Sequence, residues 1–245
     1  MEARQKRNIV ILGRTGTGKK TIANKLLGEE RFKVDSAMTS VTRGHRKLMP
    51  EEKTHEDVHY SIKILDTLGP YSSMIDKRII LGEIDEYCKN VPEGINLILF
   101  TFRYGVYEPG EIEIFNAICQ LYEDEIPKIS ALVITGCESL DEEGRTSLLK
   151  ELRTETATRG IVQFMHKGIF PVGFPNLNNI KPVLREEYEQ GISYDANGLT
   201  NLVLGSQLLT LDRDILARKP ISRQLRSYEN KREKGLSLSM LCPLF

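Results

Sequence analysis

What this sequence lacks narrows its chemistry before any motif is read. Thirty-four Lys and Arg residues balance thirty-four Asp and Glu, so no global field draws the chain to nucleic acid and any basic attraction must be local. The four cysteines, Cys88, Cys119, Cys137 and Cys242, are widely spaced. They give neither the paired spacing of a zinc site nor the density of a disulfide framework, which suits a reducing cytosol. The apolar run that follows the charged residues 1–7 is too short for a signal sequence or a spanning helix, and no later run could cross a bilayer. Internal repeats and low-complexity tracts are absent. What remains is 245 residues, enough for one large α/β domain with an extension and a core of its own.

The apolar pattern alternates between the two regular periods. Residues 8–12, 60–65, 95–102, 131–135 and 169–173 read as strands, several of them nearly continuous apolar runs of the kind a sheet covered on both faces requires. Helices are expected after the first strand, over 74–89 and 111–122, from a cap at Asp141 through Leu152, around 161–165, and over about 199–218, ending before Pro220. Residues 32–57 are polar and charged and read as a long mobile loop. Strands alternating with helices predict a doubly wound, mostly parallel sheet with helices on both faces, which binds ligands at the carboxyl ends of its strands.

One segment carries chemistry outright. Gly13-Arg14-Thr15-Gly16-Thr17-Gly18-Lys19-Lys20-Thr21 lies between the first strand and the first helix, where free amides and the positive end of the helix dipole attract polyphosphate. Gly13 and Gly18 let the backbone wrap close to oxygen atoms, and Lys19 is the partner of the β- and γ-phosphates. The pattern asks for Ser or Thr after this lysine, because that hydroxyl ligates Mg²⁺, and the chain has Lys20 instead. Thr21 is one residue late, a rotation of about 100° on a helix. Lys20 can replace part of the missing positive charge but not an octahedral oxygen donor, so Mg²⁺-assisted hydrolysis is less expected than nucleotide binding.

Asp66 closes the second strand three residues before Gly69, where a nucleotide switch holds its metal and brings a backbone N–H to the γ-phosphate. Thr135-Gly136-Cys137-Glu138 falls where guanine is read. The Glu138 carboxylate there either accepts from the ring N1–H and the exocyclic amine, neither of which adenine offers, or is a solvated loop acid. His55, His59 and His166 form no ligand spacing and read as structural.

With these residues in view, the chain resembles the immunity-associated, GIMAP-type GTPases, relatives of the septins. The family's phosphate loop recurs as Gly13 through Lys19, followed by Asn24 and Leu27-Gly28, and its later pattern as Phe32, Ser36 and Ser40-Val41-Thr42. Its Asp-Thr-Pro-Gly appears as Asp66-Thr67-Leu68-Gly69, its base-reading stretch as Thr135 through Leu140, and its late Phe-Asn-Asn loop loosely as Phe174-Pro175-Asn176. The resemblance spans residues 8–176 and is most specific in the first third. It implies GTP and GDP as ligands, Asp66 on the metal side, Thr42 as a switch threonine with Thr39 as its neighbour, and Glu138 and Asn176 at the base.

Three departures bear on turnover. The Mg²⁺ hydroxyl is missing, Cys137 replaces the lysine of the base motif, and Pro70 stands after Gly69 where a glutamine would position water. Slow or absent intrinsic hydrolysis is expected. The resemblance also implies nucleotide-dependent homodimers or oligomers, which would bring Arg43, His45 or Arg46 to a neighbouring phosphate.

The expected organisation is a charged segment 1–7, a G domain 8–217 and an extension 218–245 that is basic and then apolar. The last four residues, Cys242-Pro243-Leu244-Phe245, are either a prenylation signal supported by upstream basic residues, giving peripheral membrane association, or an apolar end that packs on protein. The leading expectation is a cytoplasmic guanine-nucleotide switch or scaffold. The alternatives are a degenerate G domain acting as a nucleotide-insensitive interaction module and an ATP-dependent small-molecule kinase.

Overall fold

The computed structural model describes residues 5–32, 51–55, 58–66, 91, 94–106 and 126–206. They form a six-stranded sheet of β1 (Gln5–Gly13), β2 (Glu51–His55), β3 (Val58–Asp66), β4 (Leu97–Arg103), β5 (Ser130–Thr135) and β6 (Ile169–Pro171), in the order β2-β3-β1-β4-β5-β6. All neighbours are parallel except β2, which runs antiparallel along the edge of β3. Strand order reverses at β1, with β3 on one flank and β4 on the other. That reversal opens a crevice at the carboxyl ends.

Side chains alternate across the sheet and sort into two cores. Val10, Leu12, Ile98, Phe100, Leu132 and Ile134 pack against Leu148 of α2 (Glu142–Thr154) and Ile161 and Phe164 of α3 (Thr156–Phe164). Ile9, Ile11, Leu97, Leu99, Ala131 and Val133 face Ile22 and Leu26 of α1 (Lys19–Leu27) and Leu199 and Val203 of α4 (Arg185–Gly205). Burial on both faces is why these strands read as unbroken apolar runs, and it bears out the doubly wound α/β reading.

The caps explain several boundaries. Asp141 accepts from the Gly144 amide at 2.8 Å and starts α2, as its sequence position predicts. Gly28, left-handed at φ 76°, ends α1 by returning its amide to the Asn24 carbonyl. The last carbonyls of α4 need an outside donor, and Arg7 supplies it: Nε reaches Val203 O at 3.2 Å and Nη2 reaches Leu204 O at 2.9 Å. The guanidinium also lies 5.2 Å from the centre of the Tyr60 ring. Burial pulls its pKa below the ordinary arginine value.

Two expectations are corrected. The supposed loop 32–57 contains β2, whose Glu-Glu-Lys-Thr-His sequence has no apolar face. Among the described residues it pairs along one edge only, where charge is normal and guards against further pairing. The helix expected over 199–218 instead spans Arg185–Gly205 and stops at Ser206 in an extended conformation. Gly191, Asn197 and Gly198 lower its intrinsic propensity and hide its beginning, while the Ser206 hydroxyl bonds back to Val203 O at 2.6 Å at its end. The helices expected over 74–89 and 111–122 and the extension 218–245 lie outside the described residues.

Candidate functional site

The carboxyl end of β1 delivers the loop to α1 as the sequence predicts, and the loop is fastened by hydroxyls. Thr17 Oγ1 lies 2.7 Å from Thr101 Oγ1 on β4 and also bonds to Arg14 O at 2.8 Å. Thr101 Oγ1 donates to Leu12 O at 3.0 Å, and Thr135 Oγ1 on β5 donates to Thr17 O at 2.8 Å. Three threonines on three elements thus clamp the loop to the sheet. Gly13 makes the fit possible, since at φ 152° a Cβ there would come to 2.1 Å from Thr101 Oγ1 and 2.5 Å from Thr101 O. Gly18 opens α1 at φ 84° against Thr135. Gly16 is also left-handed, at φ 87°, and is exposed with Thr15.

Lys19 is only 7% exposed, and its ammonium donates to Gly13 O at 2.8 Å and Arg14 O at 3.0 Å. The lysine is therefore folded back over the loop whose amides begin α1. Lys20 and Thr21 are half-buried in the first turn of α1. The loop amides and the α1 dipole attract anions. As for magnesium, position 20 presents an ammonium where an oxygen donor is needed, and no cluster of His, Cys, Asp or Glu among the described residues could hold a metal ion.

Beyond α1, Asn24 copies a strand partner: its Nδ2 donates to Phe32 O and its Oδ1 accepts from Phe32 N, both at 2.8 Å. This double bond ties down the chain four residues after Gly28 and gives the Asn24 and Phe32 pattern a physical purpose. Asp66 ends β3 with its Cα opposite Ile11, two residues short of Gly13. Its backbone is thus beside the phosphate loop, at the same end of the sheet. Thr39, Thr42, Arg43, His45, Arg46, Gly69 and Pro70 lie outside the described residues.

The loops after β5 and β6 carry Glu138 and Asn176. Glu138 and Asn176 are both exposed, and Asn176 Oδ1 accepts from the Asn178 amide at 3.0 Å, capping a short turn over Leu177–Asn179. The loops touch through Gly173, where a Cβ would fall 2.6 Å from Glu138 Cα. Lys25 of α1 sits 5.9 Å from the centre of the Phe174 ring, linking the first helix to this side. Cys137 is buried in the core, its amide bonded to Val172 O at 3.1 Å. Burial pushes its thiol up to about 11, so this position offers a ligand nothing. The outer position is Gly136, left-handed at φ 80°, and the Arg103 side chain passes beside it, with Cγ 3.6 Å from where a Cβ would stand.

The sequence reading missed Thr101, the clasp role of Thr135, and Arg103. Threonine in a buried strand carries no distinguishing signal, and only the β4–β5 register, Arg103 opposite Thr135, brings these residues to the loop.

Residues 7–169 match the AIG1 family. The chain belongs to that family. Among curated relatives, Immune-associated nucleotide-binding protein 10 of Arabidopsis thaliana is 27% identical over 57% of this AIG1-family chain and 30% of its own length. Immune-associated nucleotide-binding protein 1 of the same plant is 27% identical over 62% of this chain and 67% of its own. This chain therefore spans only about a third of the first relative. Among solved structures, Toc33 from Arabidopsis thaliana in complex with GDP and Mg²⁺ superposes with a TM-score of 0.52 at 21% identity, over 85% of this chain and 88% of that one. Membership and fold together make this a GTP-binding-type fold of the AIG1/GIMAP class, with a fold shared with Toc33.

Proposed function

We propose that this chain binds GTP and GDP through residues 13–21 and acts as a nucleotide-controlled switch or scaffold with slow or absent intrinsic hydrolysis. The observation that carries this reading is the clamped loop itself, with three left-handed glycines, a buried Lys19 and the head of α1 converging on one end of the sheet. Its support from relatives is the nucleotide-binding name of the Arabidopsis proteins and the GDP and Mg²⁺ of the Toc33 complex. Glu138 and Asn176 are assigned to the base, Gly69 and Thr42 to the γ-phosphate, and Asp66 to the metal side. Lys20 substitutes charge for a metal ligand: at an effective dielectric of about 20, a unit charge about 4 Å from phosphate is worth roughly 4 kcal/mol.

The regulated output is assembly into homodimers or oligomers. A dimerization-deficient mutant is known for Toc33, and such a contact would bring catalytic charge in trans from Arg43, His45 or Arg46. The site of action is the cytoplasm, with residues 218–245 available for peripheral membrane attachment; among the described residues no helix is long and apolar enough to cross a membrane.

Isothermal titration of the pure, folded protein with GTP, GDP and ATP, with and without Mg²⁺, tests the reading. Selective uptake of guanine nucleotides that survives magnesium removal is the expected result. Uptake of ATP alone would point to the kinase, and no uptake of any nucleotide to the nucleotide-insensitive interaction module. Lys20→Ser is expected to make binding magnesium-dependent, and a simple collapse of affinity would remove the charge-substitution account.

A further inference from the structure

An ion pair that no part of the site reading uses lies directly under the base-side loops. Arg145 of α2 and Asp195 of α4 meet in a two-pronged bond, Nη1 to Oδ1 at 2.6 Å and Nη2 to Oδ2 at 3.0 Å. The Asp195 side chain is only 3% exposed. A pair so placed is a poor source of net stability, because desolvating both ions offsets most of their attraction. Its other bonds are more telling. Asp195 Oδ2 accepts from the Gly173 amide at 2.7 Å, and Arg145 Nη1 donates to Pro171 O at 3.0 Å. Arg145 Nε also reaches Leu140 O at 3.4 Å. Every one of those backbone groups belongs to the end of β6 or to the loops that carry Glu138 and Asn176.

The geometry joins these bonds into one device. Gly173 lies so close to Glu138 that a Cβ would stand 2.6 Å from Glu138 Cα and 2.7 Å from its amide nitrogen. Fixing the Gly173 amide therefore fixes where the Glu138 backbone can rest. From the other side, Leu140 is held two residues after Glu138, and Cys137 is held by Val172 one residue before it. The planar fork of arginine suits this task, since it presents several donors in one fixed arrangement. The Asp195 bond also holds the Arg145 guanidinium above its ordinary pKa.

We propose that Arg145 and Asp195 are positioning residues for nucleobase selection: together they hold the Glu138 loop and the Gly173–Asn176 loop in the mutual register that lets a carboxylate meet the Watson–Crick edge of guanine. Neither residue touches the ligand. The proposal rests on the guanine-nucleotide reading above. It adds that base selectivity is set by an ion pair of a half-buried arginine and a buried aspartate on the two helices behind the loops, separately from affinity for phosphate.

The test compares GDP, ADP and inorganic pyrophosphate, each titrated against wild type, Asp195→Asn and Arg145→Lys of the full chain, with thermal melting followed in parallel. Asp195→Asn keeps an acceptor for the Gly173 amide but loses the charge. Arg145→Lys keeps the charge but loses the fork. Each variant is expected to bind GDP about tenfold more weakly, while ADP and pyrophosphate change less than twofold, so that preference for guanine over adenine falls about tenfold. A role confined to folding would lower melting temperature and weaken all three ligands alike, or leave the preference unchanged, and either result overturns the proposal. If Asp195→Asn does not fold, Arg145→Lys alone decides. Wild-type protein that binds pyrophosphate but neither nucleoside diphosphate selectively would instead defeat the guanine-nucleotide reading itself, a failure visible before any variant is made.

Discussion

On the phosphate-loop side, residues 13–21 are held by many groups at short range: three threonine hydroxyls, the carbonyls they meet, the Lys19 ammonium on Gly13 O and Arg14 O, and glycines that leave room for them. On the base side, the loops around Glu138 and Gly173 are held from behind by one charged pair whose members are fifty residues apart in sequence. The first arrangement spreads its hold over several bonds and is redundant, and each neutral bond contributes about 1 kcal/mol net. The second concentrates its hold in one place, where losing either partner leaves an uncompensated charge worth about 3–5 kcal/mol. One end of the crevice is thus secured by many small fasteners, whereas the loops that carry Glu138 and Gly173 rely chiefly on one ion pair.

The largest effect expected from this contrast is at Gly13. Gly13→Ala places a methyl against backbone as well as a side chain, and the strain is expected to cost about 3 kcal/mol or more and to abolish binding of pyrophosphate and nucleotides alike. Chemical denaturation and titration would show it. A variant that melts and binds like wild type would mean that the clasp yields easily. Next is Asp195→Ala, expected to lower stability by about 3 kcal/mol in urea unfolding. A loss below about 1 kcal/mol would make the base side as redundant as the phosphate side.

Thr135→Val is smaller. It removes the bonds to Thr17 O and Phe102 O and is expected to cost about 1–2 kcal/mol and weaken pyrophosphate severalfold, while guanine preference is unchanged. A shift in base preference would show that the two sides are not independent.

The effect smallest at neutral pH is at Cys137, where it emerges only in alkali. Burial keeps this thiol protonated up to about 11, against an ordinary 9.0. Between pH 9 and 11 the unfolded chain releases a proton that the folded chain retains, so stability falls as pH rises through that window, by about 2 kcal/mol. Melting curves over the window should lose this slope in Cys137→Val.

The sequence displayed those parts of the fold that physics writes locally. The runs around Val10, Leu99 and Val133 are apolar because both faces of the sheet are covered, and the glycine loop is visible because its residues are contiguous. What stayed hidden depends on partners far along the chain. β2 is a strand because β3 offers an edge, and its own residues carry no such pattern. α4 begins at Arg185 because Asp195, Leu199 and Val203 pack on the domain and outweigh its glycines. The threonine clasp and the Arg145–Asp195 pair appear only when strand register and helix placement are known.

Arg7 has a practical consequence. By binding the final carbonyls of α4 beside the start of β1, it brings the beginning of β1 and the end of α4 to one pole. The phosphate loop sits at the other, a strand of nine residues or about 30 Å away. A linker, dye or surface tether attached at residue 5 or residue 206 would therefore leave the ligand-facing crest open to solvent. Immobilising the protein through either of these two positions is expected to keep the loop accessible.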